Sequence, residues 1–485
     1  MQAGLSPQQQ LYLCIDQGGH ATRAIIFDGE GRHIAEGYQN ISVHHPQADF
    51  VEHDAEEMLN SVRAAIDKAL QQIGPRKTEI LAAGFAVQRS NIVCWDRETG
   101  AALSPIISWQ DRRAQQWLQQ FKPRAEEIHK TTGLFLSPHY GTGKLHWCLE
   151  NLPGVKQAQS ENRLCFGPMA AFFVRRLTRE HNFYTDVVNA SRTQLWSLKS
   201  NDWDAELLTL FGIPADCLPE CKPTRYNYGT LDIEGADIPV QLVTGDQSAA
   251  MFAYGRLQPD TAYINTGTGA FISRPSGRLK IYGRRLLTSV IDQDDTASHY
   301  VLEGTVNGAG SALTWLEEQH GVRDIELNLP RWLNEVENPP LFLNGVSGLA
   351  APFWLADFPI RFDREVTTAA EKAVAVIESI VFLLCANAQE MKKLSSPPEQ
   401  LQLTGGLAVL DSLCQKMADL SGLPTYRPME CEATARGTAY LLAEQPRHWP
   451  ENDPGIWFKP ADNPALKARY QAWTDLMLAT MRKSA

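Results

Sequence analysis

The stretch Leu11-Tyr12-Leu13-Cys14-Ile15-Asp16-Gln17-Gly18-Gly19-His20-Ala21-Thr22-Arg23-Ala24-Ile25-Ile26-Phe27-Asp28 decides the fold class. Residues 11–16 are an apolar run rich in strand formers, residues 17–22 are polar and contain two glycines, and residues 24–28 are apolar again. This pattern predicts a strand, a glycine turn and a second strand. The same figure returns roughly half a chain later, as residues 262–265, the turn Thr266-Gly267-Thr268-Gly269, and residues 270–273. A hairpin repeated at that spacing predicts two similar domains. Helical periodicity occupies residues 55–72, opened by Glu56 and Glu57, and residues 369–393. Strand-like runs at 80–87, 241–243 and 402–403 alternate with the helical segments, which is the α/β class. The boundary between halves is expected near residues 245–254. Pro105, Pro219, Pro223 and Pro352 mark loops, and a final helix is expected from about Ala465.

Composition narrows the function. The chain has 485 residues, 44% hydrophobic and 21% charged, which is an ordinary globular make-up with room for several cores. Its formal net charge of −11 argues against a nucleic-acid partner, which would require a basic footprint. Residues 377–388 are the most apolar, yet Glu378 interrupts them and Asn387 closes them, so they predict a buried helix and no membrane span. Residues 1–10 are polar and lack a signal-peptide core, so a cytoplasmic protein is expected. Nine cysteines are scattered and read as buried free thiols. Cys217 and Cys221 form a CxxxC without a second ligand pair.

Several motifs carry chemistry, each beside a plainer reading. No P-loop is present, since Gly143-Lys144 is followed by Leu145. Residues 266–271 lack the third glycine of a dinucleotide fingerprint, and residues 345–348 do not make a nucleophile elbow. Asp16-Gln17-Gly18-Gly19 would let backbone approach a phosphate while the carboxylate holds a metal ion; the same residues also suit a simple turn. Thr266-Gly267-Thr268-Gly269 offers hydroxyls and unhindered N–H groups, again with a turn as the alternative. Gly245-Asp246-Gln247 puts a carboxylate after a strand, placed for a general base or for a helix N-cap. Gln88-Arg89 ends another strand and suits either a polyol contact or solvent. Trp109-Gln110-Asp111-Arg112-Arg113 offers an aromatic wall or an ion-pair turn. Leu403-Thr404-Gly405-Gly406 is a strand entering a glycine turn before a helix, a phosphate site or a tight connection.

Taken together, these pieces resemble the FGGY family of carbohydrate kinases, most closely its glycerol kinase branch. The resemblance is carried by CIDQGGHATRAIIFD (14–28), FVEHDAEEM (50–58), QRSNIVCWDRETG (88–100), ISWQDRRA (107–114), GKLHWCLEN (143–151), TDVVNASRT (185–193), TGDQSAAMF (244–252), INTGTGAFI (264–272), EGTVNGAGSALTWL (303–316), GVSGLAAPFW (345–354) and LTGGLAVLDSL (403–413). They are collinear and span nearly the whole chain. The resemblance implies two actin-like (ribonuclease H-like) ATPase domains with an interdomain catalytic cleft. Residues 1–246 would mainly bind substrate and residues 247–485 mainly ATP. It implies Asp246 as the catalytic base, Asp16 near Mg²⁺, and ATP contacts from Gly18, Gly19, His20, Thr266, Gly267, Gly310, Gly405 and Gly406. Substrate contacts would come from Arg89, Ser90, Trp109, His139, Tyr140, Asp246, Gln247 and Phe271. A homodimer or homotetramer is expected, with a small polyol or ketose as substrate.

Departures from the glycerol kinase pattern sharpen these expectations. Gly19 and His20 stand where hydroxyl residues are usual, which bears on catalytic rate. Ser90 follows Arg89 where a glutamate is usual, and His139 aligns with a site tyrosine, with Tyr140 beside it. A pocket short of a carboxylate holds glycerol poorly, so an acceptor of about four or five carbons is expected in its place. No match to the loop that serves fructose bisphosphate inhibition is found around residues 226–230. A catalytically weak pseudokinase that binds sugar or nucleotide and regulates a partner is the alternative.

Overall fold

The computed structural model describes residues 6–233, 235–294, 296–429, 432–450 and 454–484. The chain divides into two compact units. The first comprises residues 1–257, 289–300 and 432–452, and the second residues 258–288, 301–431 and 453–485. The expected division after Asp246 concerns the same junction, but here the first unit continues to residue 257 and regains two later segments.

The first unit is built on a six-stranded sheet ordered Arg225–Thr230, Pro239–Gly245, Ile80–Val87, Leu11–Gln17, Ala21–Asp28, His33–Asn40. Three adjacent strands, Pro239–Gly245, Ile80–Val87 and Leu11–Gln17, run parallel. The opening hairpin is tighter than its polarity suggests, because the strands reach Gln17 and Ala21 and only residues 18–20 turn. Thr22 is buried there, its hydroxyl donating to Gln17 Oε1 at 2.8 Å and lying 2.6 Å from Ser61 Oγ, so a polar residue extends the strand. Helix Ala55–Ile73 covers one face, with Asp54 accepting the Glu57 N–H at its N-cap. A Cβ on Gly37 would fall 1.9 Å from the Ala65 carbonyl oxygen, so glycine lets the strand His33–Asn40 lie against that helix. Helices Gly141–Asn151 and Asp246–Met251 also belong to this unit, as does Ala433–Leu442.

The second unit repeats the pattern. A seven-stranded sheet lies mainly in this unit, residues 289–300 of its first two strands being grouped with the first, and is ordered Leu287–Gln293, Ser298–Val306, Ala270–Gly277, Thr261–Thr266, Gln400–Thr404, Thr425–Arg427, Ile456–Phe458. Again an antiparallel hairpin, Thr261–Thr266 with Ala270–Gly277, is followed on its other side by parallel strands. Helix Ala369–Lys392 is buried through this core, including Glu378, which bonds Lys416 and Arg469. Among the described residues no helix is long and apolar enough to cross a membrane. The eight described cysteines are free thiols, and Cys217 donates to the Pro214 carbonyl. Among the described residues, no three His, Cys, Asp or Glu side chains are grouped to hold a metal ion.

Candidate active site

Three parallel strands of the first unit end together, and that sets the site. Their registers pair Asp16 with Ala86, Gln17 with Val87, and Gly245 with Val87. The segments that leave these strand ends therefore carry Asp16, Gln88-Arg89 and Asp246 to one end of the sheet. The C-terminal ends of parallel strands are where α/β sheets bind ligands.

Asp16 is buried, and its ordinary carboxylate pKa is pushed up to about 7. Burial is the main cause, followed by the charges of Asp246 and, after Arg23, Glu432. Arg23 opposes the shift, its Nη1 lying 3.8 Å from Asp16 Oδ2. Asp246 opens the helix Asp246–Met251, and its Oδ1 accepts the Gln247 N–H at 2.7 Å. Burial raises its pKa as well, with Arg89 the strongest opposing charge. Arg89 is buried and donates through Nη2 to Gln247 Oε1. A Cβ on Gly245 would lie 2.5 Å from Arg89 Cγ, so glycine lets the arginine cross the strand end.

A second wall is tied to this one by Asn91, which sequence reasoning missed. Its amide donates to Gln88 Oε1 at 2.8 Å and its Oδ1 accepts the Trp109 N–H at 2.8 Å. Trp109 offers its carbonyl to His139 Nδ1 at 2.9 Å, and the two rings lie 6.2 Å apart. A carbonyl can only accept, so His139 carries its proton on Nδ1 and keeps a lone pair on Nε2. Burial is the main cause that pushes the imidazole down to about 4, so it is neutral near pH 7. Tyr140 is buried beside it at the N-cap of helix Gly141–Asn151, and Ser90 is buried after Arg89. Lys144, also missed, lies beneath both, its partners being the main-chain carbonyls of Ser90 and His139.

At the hairpin tip the Gly18 N–H donates to the Ala21 carbonyl at 3.0 Å, so it serves the turn. Gly19 and His20 form the tip, His20 exposed. A Cβ on Gly19 would sit 2.8 Å from Gln88 Nε2, so the hydroxyl residue usual at this position would crowd that amide.

The second unit holds the other candidate residues. Thr266 is buried and its hydroxyl donates to the Thr404 carbonyl at 3.0 Å, so of the two expected hydroxyls only Thr268 stands at the exposed tip. Helix Gly310–His320 begins against this turn: the Gly310 N–H donates to the Gly267 carbonyl at 3.0 Å and the Ser311 N–H to that of Thr268 at 3.0 Å. A Cβ on Gly310 would approach the Gly267 oxygen to 2.9 Å. Gly405 has φ 91° and packs on Thr266, where a Cβ would meet that residue's carbonyl oxygen at 2.6 Å, while Gly406 faces open space. These contacts bring Gly267 against Gly310 and Gly405 against the buried Thr266, with Gly406 following Gly405. Phe271 sits on the same hairpin, pairing with Asn265, and so belongs to the second unit.

Two family descriptions match the chain: the FGGY family of carbohydrate kinases, N-terminal domain, over residues 11–253, and its C-terminal domain over residues 262–444. The chain belongs to the FGGY family of carbohydrate kinases. Glycerol kinase of Brucella ovis is 34% identical over 451 residues, covering 90% of this chain and 91% of that one. Glycerol kinase of Rhizobium rhizogenes is 33% identical over 492 residues, covering 97% and 98%. Among solved structures, Plasmodium falciparum glycerol kinase with ADP matches with a TM-score of 0.85 at 24% identity, covering 97% of this chain and 98% of that one. A ligand-bound xylulose kinase from Lactobacillus acidophilus matches with a TM-score of 0.83 at 22% identity, covering 98% of each. The fold is thus the two-domain actin-like ATPase fold of FGGY kinases, and the chain is an ATP-dependent carbohydrate kinase acting on a polyol or sugar.

Proposed function

We propose that this FGGY kinase transfers the γ-phosphoryl group of ATP to one hydroxyl of a small polyol or ketose, with Asp246 as general base. The observation that carries the reading is the placement of Asp246. Its Oδ1 accepts the Gln247 N–H, and the Arg89 backbone N–H also bonds the carboxylate, so the group is fixed at the strand end where a substrate hydroxyl would meet it. Burial makes the carboxylate a stronger base, and the Arg89 charge opposes that shift. As the acceptor oxygen bonds to phosphorus, its proton passes to Asp246 and the bond from the γ-phosphorus to the bridging oxygen breaks, releasing ADP. Arg89, Ser90, Trp109, His139, Tyr140 and Gln247 would bind and orient the acceptor, joined by Phe271. Gly18, Gly19, His20, Thr266, Gly267, Gly310, Gly405 and Gly406 would hold the nucleotide.

The residues present suit Mg²⁺. Asp16 is buried and Asp246 half-buried; the two carboxylates repel one another and are too few for an all-protein cage, and Mg²⁺ favours one or two carboxylates plus waters and substrate phosphates. Asp16 would hold the ion, which when bound neutralises charge developing on the phosphates. A cytoplasmic homo-oligomer is the setting this reading expects.

The test is an ADP-release assay over glycerol, erythritol, the pentitols, and the ketopentoses and ketohexoses. One acceptor should give turnover, and Asp246→Asn should lower it by roughly 10²–10⁴-fold. Full activity in that variant would refute the base. Silence across the panel with ligand binding retained would favour the regulatory pseudokinase.

A further inference from the structure

We infer that Lys144 is a positioning residue of the acceptor site, tying Ser90 and His139 together from behind. The inference rests on the acceptor-site reading above and concerns a side chain that touches no substrate. Lys144 is wholly buried in helix Gly141–Asn151. Its Nζ donates to the Ser90 carbonyl at 2.9 Å and to the His139 carbonyl at 2.8 Å.

This is not an ordinary buried ion pair. The carboxylate that acts on Lys144, Asp111, is engaged by Arg113 through contacts of 2.9 and 2.7 Å, and Arg113 also bonds Glu52. A buried ammonium needs strong partners, and here both are main-chain carbonyls. The charged and titratable groups that act on Lys144 are Asp111, Arg113 and His139. Burial pushes the ammonium down to about 7, yet a neutral amine still keeps two N–H donors for its two carbonyls. The tie therefore survives titration.

Both tethered residues need holding. Ser90 has φ 68°, the left-handed region that side-chain-bearing residues avoid, and it follows directly on Arg89. Arg89 in turn meets Gln247, next to the proposed base. On the other side, the His139 carbonyl bonds Lys144 while its ring bonds the Trp109 carbonyl. One ammonium thus joins the backbones behind both walls of the acceptor site.

The helix is built to deliver this lysine. A Cβ on Gly141 would meet Ile92 Cδ1 at 2.8 Å, and one on Gly143 would meet Ala114 Cβ at 2.5 Å. Thr142 donates to the Thr193 carbonyl at 2.7 Å. The helix start is therefore pressed into the unit, and the next residue, Lys144, is carried inward.

Lys144→Met and Lys144→Gln test the inference, with acceptor and ATP kinetics, acceptor calorimetry without nucleotide, and thermal melting. Lys144→Met should raise the KM and the dissociation constant for acceptor by about tenfold or more, with the ATP KM within about twofold. Lys144→Gln, whose amide NH2 keeps two donors on a shorter side chain, should fall between. A general loss of structure would raise both KM values together, and that result overturns the inference, as does an unchanged acceptor KM in either folded variant. Should Lys144→Met not fold, Lys144→Gln is read by the same criteria. Absence of wild-type turnover with every acceptor would count against the acceptor-site reading, a separate outcome.

Discussion

Asp16 carries its carboxylate where burial, Asp246 and Glu432 all oppose ionisation. Its raised pKa means that the folded state holds a proton the unfolded chain has already released. The associated stability is fully present below the unfolded value near 3.8 and is lost as pH rises through about 7. Asp16→Asn should therefore melt higher than wild type at pH 8 in metal-free buffer, by about 1–3 kcal/mol, and equally at pH 4, while losing turnover. A variant that melts lower at pH 8 would contradict that sign. His139 works in the opposite direction: held near 4, it stays neutral and keeps Nε2 as an acceptor. His139→Phe should raise the acceptor KM by about tenfold with little change for ATP, as steady-state kinetics would record. The aspartates were legible in sequence because Asp16 closes a strand-like run two residues before Gly18, and Asp246 directly follows Gly245 at the end of another. Asn91 and Lys144 were not, since their partners, Gln88, Trp109, Ser90 and His139, are set by how loops meet in space.

Helix Asp246–Met251 depends on its neighbour Ala433–Leu442. A Cβ on Gly437 would fall 1.8 Å from the Ala249 carbonyl oxygen, so the two helices touch backbone to side. Gly437→Ala must push them apart, costing about 2–4 kcal/mol by thermal or denaturant unfolding, and turnover should fall with it because Asp246 rides on the displaced helix. Asp54→Ala at the cap of Ala55–Ile73 should cost only about 1 kcal/mol and leave kinetics unchanged. The long helices were readable to within a residue, 55–72 against Ala55–Ile73 and 369–393 against Ala369–Lys392, because apolar period and caps agree. Strand His33–Asn40 was missed: most of its side chains face solvent, and its pairing with Ala21–Asp28 is what makes it a strand. Arg225–Thr230 escaped for a similar reason, being largely polar with a register shift against Pro239–Gly245.

Across the molecule the duplication suggested by two glycine turns is real in topology. Each unit places a hairpin beside parallel strands in the same order. Hairpin recurrence showed this because it needs only local sequence. The return of residues 289–300 and 432–452 to the first unit left no such trace, since it is fixed by tertiary packing. There, Arg436 donates to the Ala253 carbonyl and Trp449 Nε1 to the same oxygen at 2.9 Å. A fragment of residues 1–257 should accordingly be unstable or insoluble, as circular dichroism and gel filtration would show. A fully cooperative, acceptor-binding fragment would refute that expectation.

Helix Ala433–Leu442 also sets a clock. Synthesis on the ribosome runs from the N-terminus, and early domains usually fold first. Here the seat for Asp246 is finished by residues 433–442, so a nascent chain holds no completed seat for the proposed base until those have been translated. Premature stop codons and late frameshifts should thus yield silent polypeptides, unable to consume ATP.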